Sequence, residues 1–467
     1  MYKNKQLICR KLLVVIIIFL ASCNKNLEPI SVESSIKIPE KFAQVKEGKN
    51  QAELRQWWKN WGDEVLNQLI EEGIKNNYDI FIARTRLEEA KAISRLAEAD
   101  LGAKAEISGG GGASATYIDS PLFNRDSQSA NLNVGFSAAW EIDFWGRKRA
   151  DLAATLASAL AQEQEIYATQ ILITSEIAKN YFKFHKNISQ ISLIKKYIAE
   201  LENLKKYLNG RFLAGELSAF EAGEVENNIK QISAQIPLLE AEIGIYQRSI
   251  ALLLGKNESF IIEKKESPLN KIPPAPEGVK PRSLLERRPD ILARMAVIEA
   301  KAANLASSKA DLYPSFNIQF LGKSGRIELN NDLSNLMGLG SILSASIHLP
   351  IFTNGRIKAK IEKADKELQT AILEYDKTLL TALSEVDNSY QAFWGFNNQA
   401  QSLNSALKTA QRQISNSQKL FKYGSKNLDT VINSALNAEQ IKQKILDNKL
   451  QRAEALINIY KSLGGGW

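Results

Sequence analysis

Asn131-Leu-Asn-Val-Gly-Phe-Ser-Ala-Ala-Trp-Glu-Ile-Asp-Phe-Trp-Gly-Arg147 alternates apolar and polar residues and then stops at a glycine and an arginine. Leu132, Val134, Phe136, Ala138, Trp140, Ile142 and Phe144 share one parity. Asn131, Asn133, Ser137, Glu141 and Asp143 share the other, which is the period of a strand with two unlike faces. The pattern and its ending return about 210 residues later. There Leu343, Ala345, Ile347, Leu349 and Ile351 alternate with Ser344, Ser346 and His348 ahead of Gly355-Arg356. Other matches fall in the same order at nearly the same offset. Ala99-Asp100-Leu101 recurs as Ala310-Asp311-Leu312, and Ser175-Glu176, Tyr181 and Phe184 recur as Ser384-Glu385, Tyr390 and Phe393. The 467-residue chain therefore reads as two copies of one unit.

Each half runs helix, strand, loop, strand, long helix, returning helix. Phe316, Ile318 and Phe320, set against Ser315, Asn317 and Gln319, supply a third strand. A fourth, Ala103 to Tyr117, is weaker because Gly109 to Gly112 carry no side-chain pattern. After each Gly-Arg exit the period changes. Ile357, Ile361, Ala364, Leu368, Tyr375, Leu379, Ala382, Val386, Tyr390 and Phe393 recur at steps of mostly three and four, with no proline from Arg356 to Phe421. The counterpart helix spans Arg147 to about Leu208. At 1.5 Å per residue, a helix of some sixty residues makes a rod of roughly 90 Å. The returning helices are expected over Leu217 to Leu254 and about Thr430 to Leu463. Rods rich in alanine pack as coiled-coil walls.

The N-terminus stands apart from this body. Lys3, Lys5, Arg10 and Lys11 precede the apolar run Leu12 to Leu20, which is too short for a permanent membrane helix and reads as an export signal. It ends in Leu20-Ala21-Ser22-Cys23, which resembles a bacterial lipobox with Cys23 as the acylated residue. Removing residues 1–22 lowers the formal charge from +8 to +4, so the basic balance gives no support for a nucleic-acid partner. Cys9 leaves with the signal. Cys23 then remains as the only cysteine, and no intramolecular disulfide can form.

Strands of about ten residues suffice to cross an outer membrane at a tilt. Trp140, Phe144 and Trp145 gather at one strand end, as an interfacial girdle would. Four strands cannot close a membrane barrel, and lipid does not tolerate an open edge, so several chains must contribute to one barrel. Ser315, Asn317, Gln319, Ser344, Ser346 and His348 are expected to face water inside it, and Phe316, Ile318, Phe320, Ile347 and Leu349 to face lipid.

Motifs that suggest chemistry have plainer readings. Arg287-Arg288-Pro289-Asp290 is an ordinary helix start, with proline and an acid in the first turn. Gly109 to Gly112 lacks the lysine and helix of a phosphate loop. His185 and His348, the two histidines, have no metal-site spacing and no nucleophile partner. Neither an enzyme, a metal nor a cofactor is expected.

Taken together, the lipobox, Trp140-Glu-Ile-Asp-Phe-Trp-Gly-Arg147, Leu284-Leu-Glu-Arg-Arg-Pro-Asp-Ile291, Ala310-Asp-Leu-Tyr-Pro314, Leu349-Pro-Ile-Phe-Thr-Asn-Gly-Arg356 and Tyr460-Lys-Ser-Leu-Gly-Gly-Gly-Trp467 resemble the TolC-like outer-membrane efflux family, in its OprM/NodT-type lipoprotein branch. The resemblance implies a mainly α fold with a membrane β-barrel: a homotrimer in which each chain gives four strands to a twelve-stranded barrel, continued by a helical coiled-coil tunnel through the periplasm. It also implies a periplasmic adaptor and an inner-membrane transporter as partners. Localisation would be the outer membrane, lipid-anchored, since Asn24 is not the aspartate that holds many lipoproteins at the inner membrane. The expected divisions are signal peptide 1–22, extended anchored segment 23–60, first repeat 61–255, linker 256–281 and second repeat 282–467.

The same resemblance places a closing constriction where the long helices turn back. Aligned on Gly424, Phe421 takes the family's aromatic position and Lys426 a position often basic. Thr430 and Asn433 fall where some members carry aspartates, and Asp429 lies one residue away. Six residues beyond Gly215, Glu221 takes an acidic position that bonds the basic one across the closed end. The function expected is a passive exit duct for small molecules in a tripartite efflux system. Type I protein secretion and a non-channel structural envelope lipoprotein are the alternatives.

Overall fold

A computed structural model describes residues 35–46, 48, 54–120, 123–214, 219–257, 262, 267–329 and 333–467. Cys23 lies outside these residues. The described helices are α1 (Glu64–Asn76), α2 (Tyr78–Ala99), α3 (Arg147–Leu213), α4 (Ala219–Ser233), α5 (Ile236–Leu253), α6 (Pro289–Ala310), α7 (Arg356–Lys422) and α8 (Leu428–Ser462), with short helical turns between them. The strands are β1 (Lys104–Ser120), β2 (Phe123–Ile142), β3 (Ser315–Leu329) and β4 (Leu333–His348). They form one antiparallel sheet in the order β1-β2-β3-β4, so each repeat contributes one hairpin. The chain divides into a sheet unit, with residues 94–156 and 298–372, and a helical unit, with residues 36–93, 157–297 and 373–467.

Both long helices have 67 residues, about 100 Å at the α-helical rise. At α3, Asp143 accepts from the backbone N–H groups of Lys148 at 3.1 Å and Arg149 at 2.9 Å, satisfying two of the four orphan donors. Helix α7 ends at Gly424, whose φ of 70° lets the Ser425 N–H reach back to the Leu420 carbonyl at 2.8 Å. Glycine adopts that left-handed φ without the penalty a side chain would bring, so the helix can end there.

The returning helix of the first repeat is not the continuous element expected over Leu217 to Leu254. It breaks between Ser233 and Ile236, with Pro237 opening α5. Proline offers no N–H to the preceding turn and its ring collides with that turn's carbonyl. Leu349 and Ile351 also fall beyond β4, and Phe144 beyond β2, so the alternating pattern runs past the strand ends. The weaker candidate is a full strand: Gly109 to Gly112 pair with Val134 to Asn131, and a Cβ on Gly112 would come within 3.1 Å of the Asn131 side-chain oxygen.

The helical unit has its core where the repeats match. Tyr181, Phe184, Tyr390 and Phe393 are all buried. The Tyr181 hydroxyl donates to Asp63 at 3.0 Å, and the Tyr390 hydroxyl to the Pro276 carbonyl at 2.7 Å. Asp63 also caps α1 through the Leu66 N–H, so one carboxylate joins the helix start to the core. Trp57 is fully buried, stacked on Tyr460 at 5.4 Å and edge-on to Trp58 and Trp61.

Candidate functional site: the two faces of the sheet and the helical turn

Strand register decides which residues share a face. Phe316 pairs with Ile142 and Ile347, Ile318 with Trp140 and Ala345, and Phe320 with Ala138 and Leu343. The alternate rows set Asn317 between Glu141 and Ser346, Gln319 between Ala139 and Ser344, and Ser315 beside His348. The alternation seen along each strand is thus in phase across the sheet. One pair breaks it. Leu321 and Ile342 face each other on the otherwise polar side, which parity along β4 indicates only once the β3–β4 register is known.

Neither face has a protein layer over it among the described residues. On the apolar side Ile107 is 76% exposed, Leu343 74% and Ile347 69%. A soluble antiparallel sheet buries its apolar face against a second layer. A sheet that exposes that face requires an apolar surrounding, which a bilayer supplies. No described helix is long and apolar enough to cross a membrane.

Aromatic residues mark the ends of β2 and β3. Trp145 stacks on Tyr313 at 4.8 Å and donates its indole N–H to the Pro314 carbonyl at 2.9 Å. Phe144, though outside β2, packs on Phe316 at 5.7 Å. Below them the charges pair: Arg147 with Glu141 at 2.8 Å, Arg149 with Asp143 at 3.1 Å and Lys360 with Asp311 at 2.6 Å.

Within the helical unit, the residues expected at the constriction are placed as follows. Phe421 is half-buried against a cluster that includes Tyr197, Leu201, Leu208, Val225 and Ile432. Arg211 lies 5.9 Å from the Phe421 ring. Lys426, Asp429 and Asn433 are exposed, and Thr430 is half-buried. Glu221 falls on α4, but its side chain lies outside the described ones.

Sequence reading missed two acids nearby. Glu226 accepts from Lys205 and Lys230, each at 2.9 Å, and these hydrogen bonds hold its carboxyl at about 2. The Lys205 bond fastens α4 to α3, whereas Lys230 lies on α4 itself. The spacing of Glu226 and Lys230 by four was the available signal. Glu439 is buried on α8, and loss of hydration pushes its carboxyl up despite a 3.1 Å contact with Lys442. His185 is buried among Tyr181 and Phe184, and burial pushes it down to about 4, so it is neutral near pH 7. No group of three or more metal-ligating side chains occurs among the described residues.

Residues 69–256 and 281–465 match the outer membrane efflux protein family. Among curated proteins, the chain is 26% identical over 459 residues to the pyoverdine export outer membrane protein OpmQ of Pseudomonas aeruginosa, covering 96% of this chain and 95% of that protein. It is 24% identical over 467 residues to the cation efflux system protein CusC of Escherichia coli O157:H7, covering 98% and 99%. A crystal structure of CusC superposes with a TM-score of 0.82 at 22% identity over 92% of this chain and 98% of that one. The probable outer membrane lipoprotein SilC of Salmonella typhimurium is 23% identical over 466 residues, covering 98% and 99%.

An exposed apolar strand face together with two 67-residue helices fits the class of outer-membrane channels. The chain belongs to the outer membrane efflux protein family. It is an outer-membrane channel component of an efflux system and has the fold of the family's trimeric channels.

Proposed function

We propose that three copies of this chain close a twelve-stranded barrel and form the passive exit duct of a tripartite efflux system. A periplasmic adaptor and an inner-membrane transporter deliver small molecules to it. The observation that carries this reading is the sheet whose apolar face has no protein cover among the described residues, because four open-edged strands survive in lipid only when other copies close them. Export of small solutes is favoured over protein secretion by the relatives, which are named for pyoverdine export and cation efflux. The polar rows then line the water-filled lumen.

The duct is anchored through Cys23, acylated after cleavage behind Ser22; SilC, a relative of nearly the same length, is named a lipoprotein. Mass spectrometry of the mature N-terminus should find a lipidated cysteine. An unmodified N-terminus at another residue would refute the anchor.

At the helical turn, Glu221 and Lys426 meet in the resting channel, with Phe421 packed beside them. Their placement after Gly215 and Gly424 in the two repeats supports this pairing. An exposed pair contributes only about 0–1 kcal/mol, so three must act together. Lys426→Glu should therefore raise the single-channel conductance of the purified protein in planar bilayers, and adding Glu221→Lys should restore part of the closed level. Equal conductance in wild type and both variants would remove these residues from the constriction. No conductance from the wild type would refute the duct itself.

A further inference from the structure

Glu439, on α8, is a buried acid that a passive duct does not itself require. It is 4% exposed, and its own chain covers it, so the burial needs no neighbouring copy. Its Oε2 accepts from Lys442, on the same helix, at 3.1 Å, and its Oε1 has no hydrogen-bond partner among the described residues. An ionised carboxyl held in this way gives up hydration and recovers only part of it.

The acid lines a cavity of about 460 Å³ between the last turns of α3, the last turns of α7 and the first half of α8. The other polar groups there that titrate or carry charge are Tyr197 and Glu200 from α3, Lys419 and Lys422 from α7, and Lys442 from α8 itself. No described residue of α4 lines it. Burial, with Glu439 and Glu200 nearby, pushes the Tyr197 hydroxyl up to about 12, so it stays neutral while a carboxyl titrates. Loss of hydration raises Glu439 above the ordinary carboxyl range; Lys442 opposes the rise and Glu200 adds to it. Phe421, which the family resemblance places at the constriction, lines the same cavity.

A carboxyl raised in the packed arrangement binds its proton more firmly there than in water. The packing of α8 on α3 is therefore favoured in acid, and it weakens as the pH rises from the ordinary carboxyl value through the raised one. We propose that Glu439 is a proton-responsive contact that sets how firmly the helical turn holds the duct closed. With the proton on, the neutral side chain stays in the cavity wall and α8 lies against α3 and Phe421. With the proton off, the carboxylate turns to water and away from Glu200, which loosens the helices around Phe421.

The proposal rests on the duct reading, and one measurement separates the two. Single-channel conductance of the full-length trimer in planar bilayers is followed from about pH 8 to about pH 4, a span that brackets the ordinary carboxyl value. Wild type should fall by about twofold or more, with a midpoint above that value. Glu439→Gln should stay at the acid level throughout. Glu200→Gln, on the exposed rim, should move the midpoint to lower pH, and it reports on the same titration if Glu439→Gln yields no trimer. A wild-type conductance that ignores pH, a Glu439→Gln variant that falls as wild type does, or an unmoved midpoint in Glu200→Gln would overturn this contact and leave the duct standing. Absence of any wild-type conductance would overturn both.

Discussion

Replacing Arg288 with alanine should destabilise the helical unit by about 2–4 kcal/mol, while Arg287→Ala beside it should change stability by less than about 0.5 kcal/mol. Arg288 is only 7% exposed. It reaches Glu385 at 2.8 Å, the Ser462 carbonyl at 3.0 Å and Asp290 at 2.7 Å, so a single guanidinium ties the start of α6 to α7 and to the end of α8. Its two acids are partly hydrated and tolerate the loss better than wholly buried ones, which keeps the expected cost below the upper limit for a broken buried pair. Arg287 is exposed. Urea unfolding followed by helical circular dichroism distinguishes the two variants, and equal midpoints would remove Arg288 from its place as a structural hub.

Ile318→Arg should impair barrel assembly severely, whereas Asn317→Arg, one residue away, should be tolerated. Ile318 lies between Trp140 and Ala345 on the apolar face, and Asn317 between Glu141 and Ser346 on the polar one. An arginine facing lipid near mid-membrane costs about 2–4 kcal/mol per chain, and a closed trimer bears that cost three times. In the lumen the same charge stays hydrated. The yield of folded trimer recovered from membranes is the measurement. Equal yields for the two variants would mean that the faces do not differ in surroundings.

Much of this architecture can be read from the sequence because two periods carry it. The two-residue alternation of Phe316 to Phe320 and of Leu132 to Ile142 depends only on the pleat, so parity along each strand anticipated the rows across the sheet. The repeat brought Tyr181 and Tyr390 to equivalent buried places. Local rules were decisive where pattern was thin. Pro237 splits the returning helix although the apolar period runs through it. Features that depend on three or more elements remained hidden. Arg287-Arg288-Pro289-Asp290 does begin a helix, yet Glu385 and Ser462, which make Arg288 more than a helix start, lie 97 and 174 residues away. Leu321 beside Ile342 escaped because the pairing of two strands, not the pattern along either one, sets it.

The central claim is that alternate residues of these strands meet water and lipid, and single cysteines placed from Ser315 to Phe320 test it most directly. Cys9 departs with the signal and the Cys23 sulfur carries the lipid in the proposed mature protein, so each introduced thiol would be the only reactive one. With a membrane-impermeant, water-soluble thiol reagent on protein assembled in bilayers, positions 315, 317 and 319 should label and positions 316, 318 and 320 should remain protected. Uniform labelling or uniform protection along the strand would contradict the barrel.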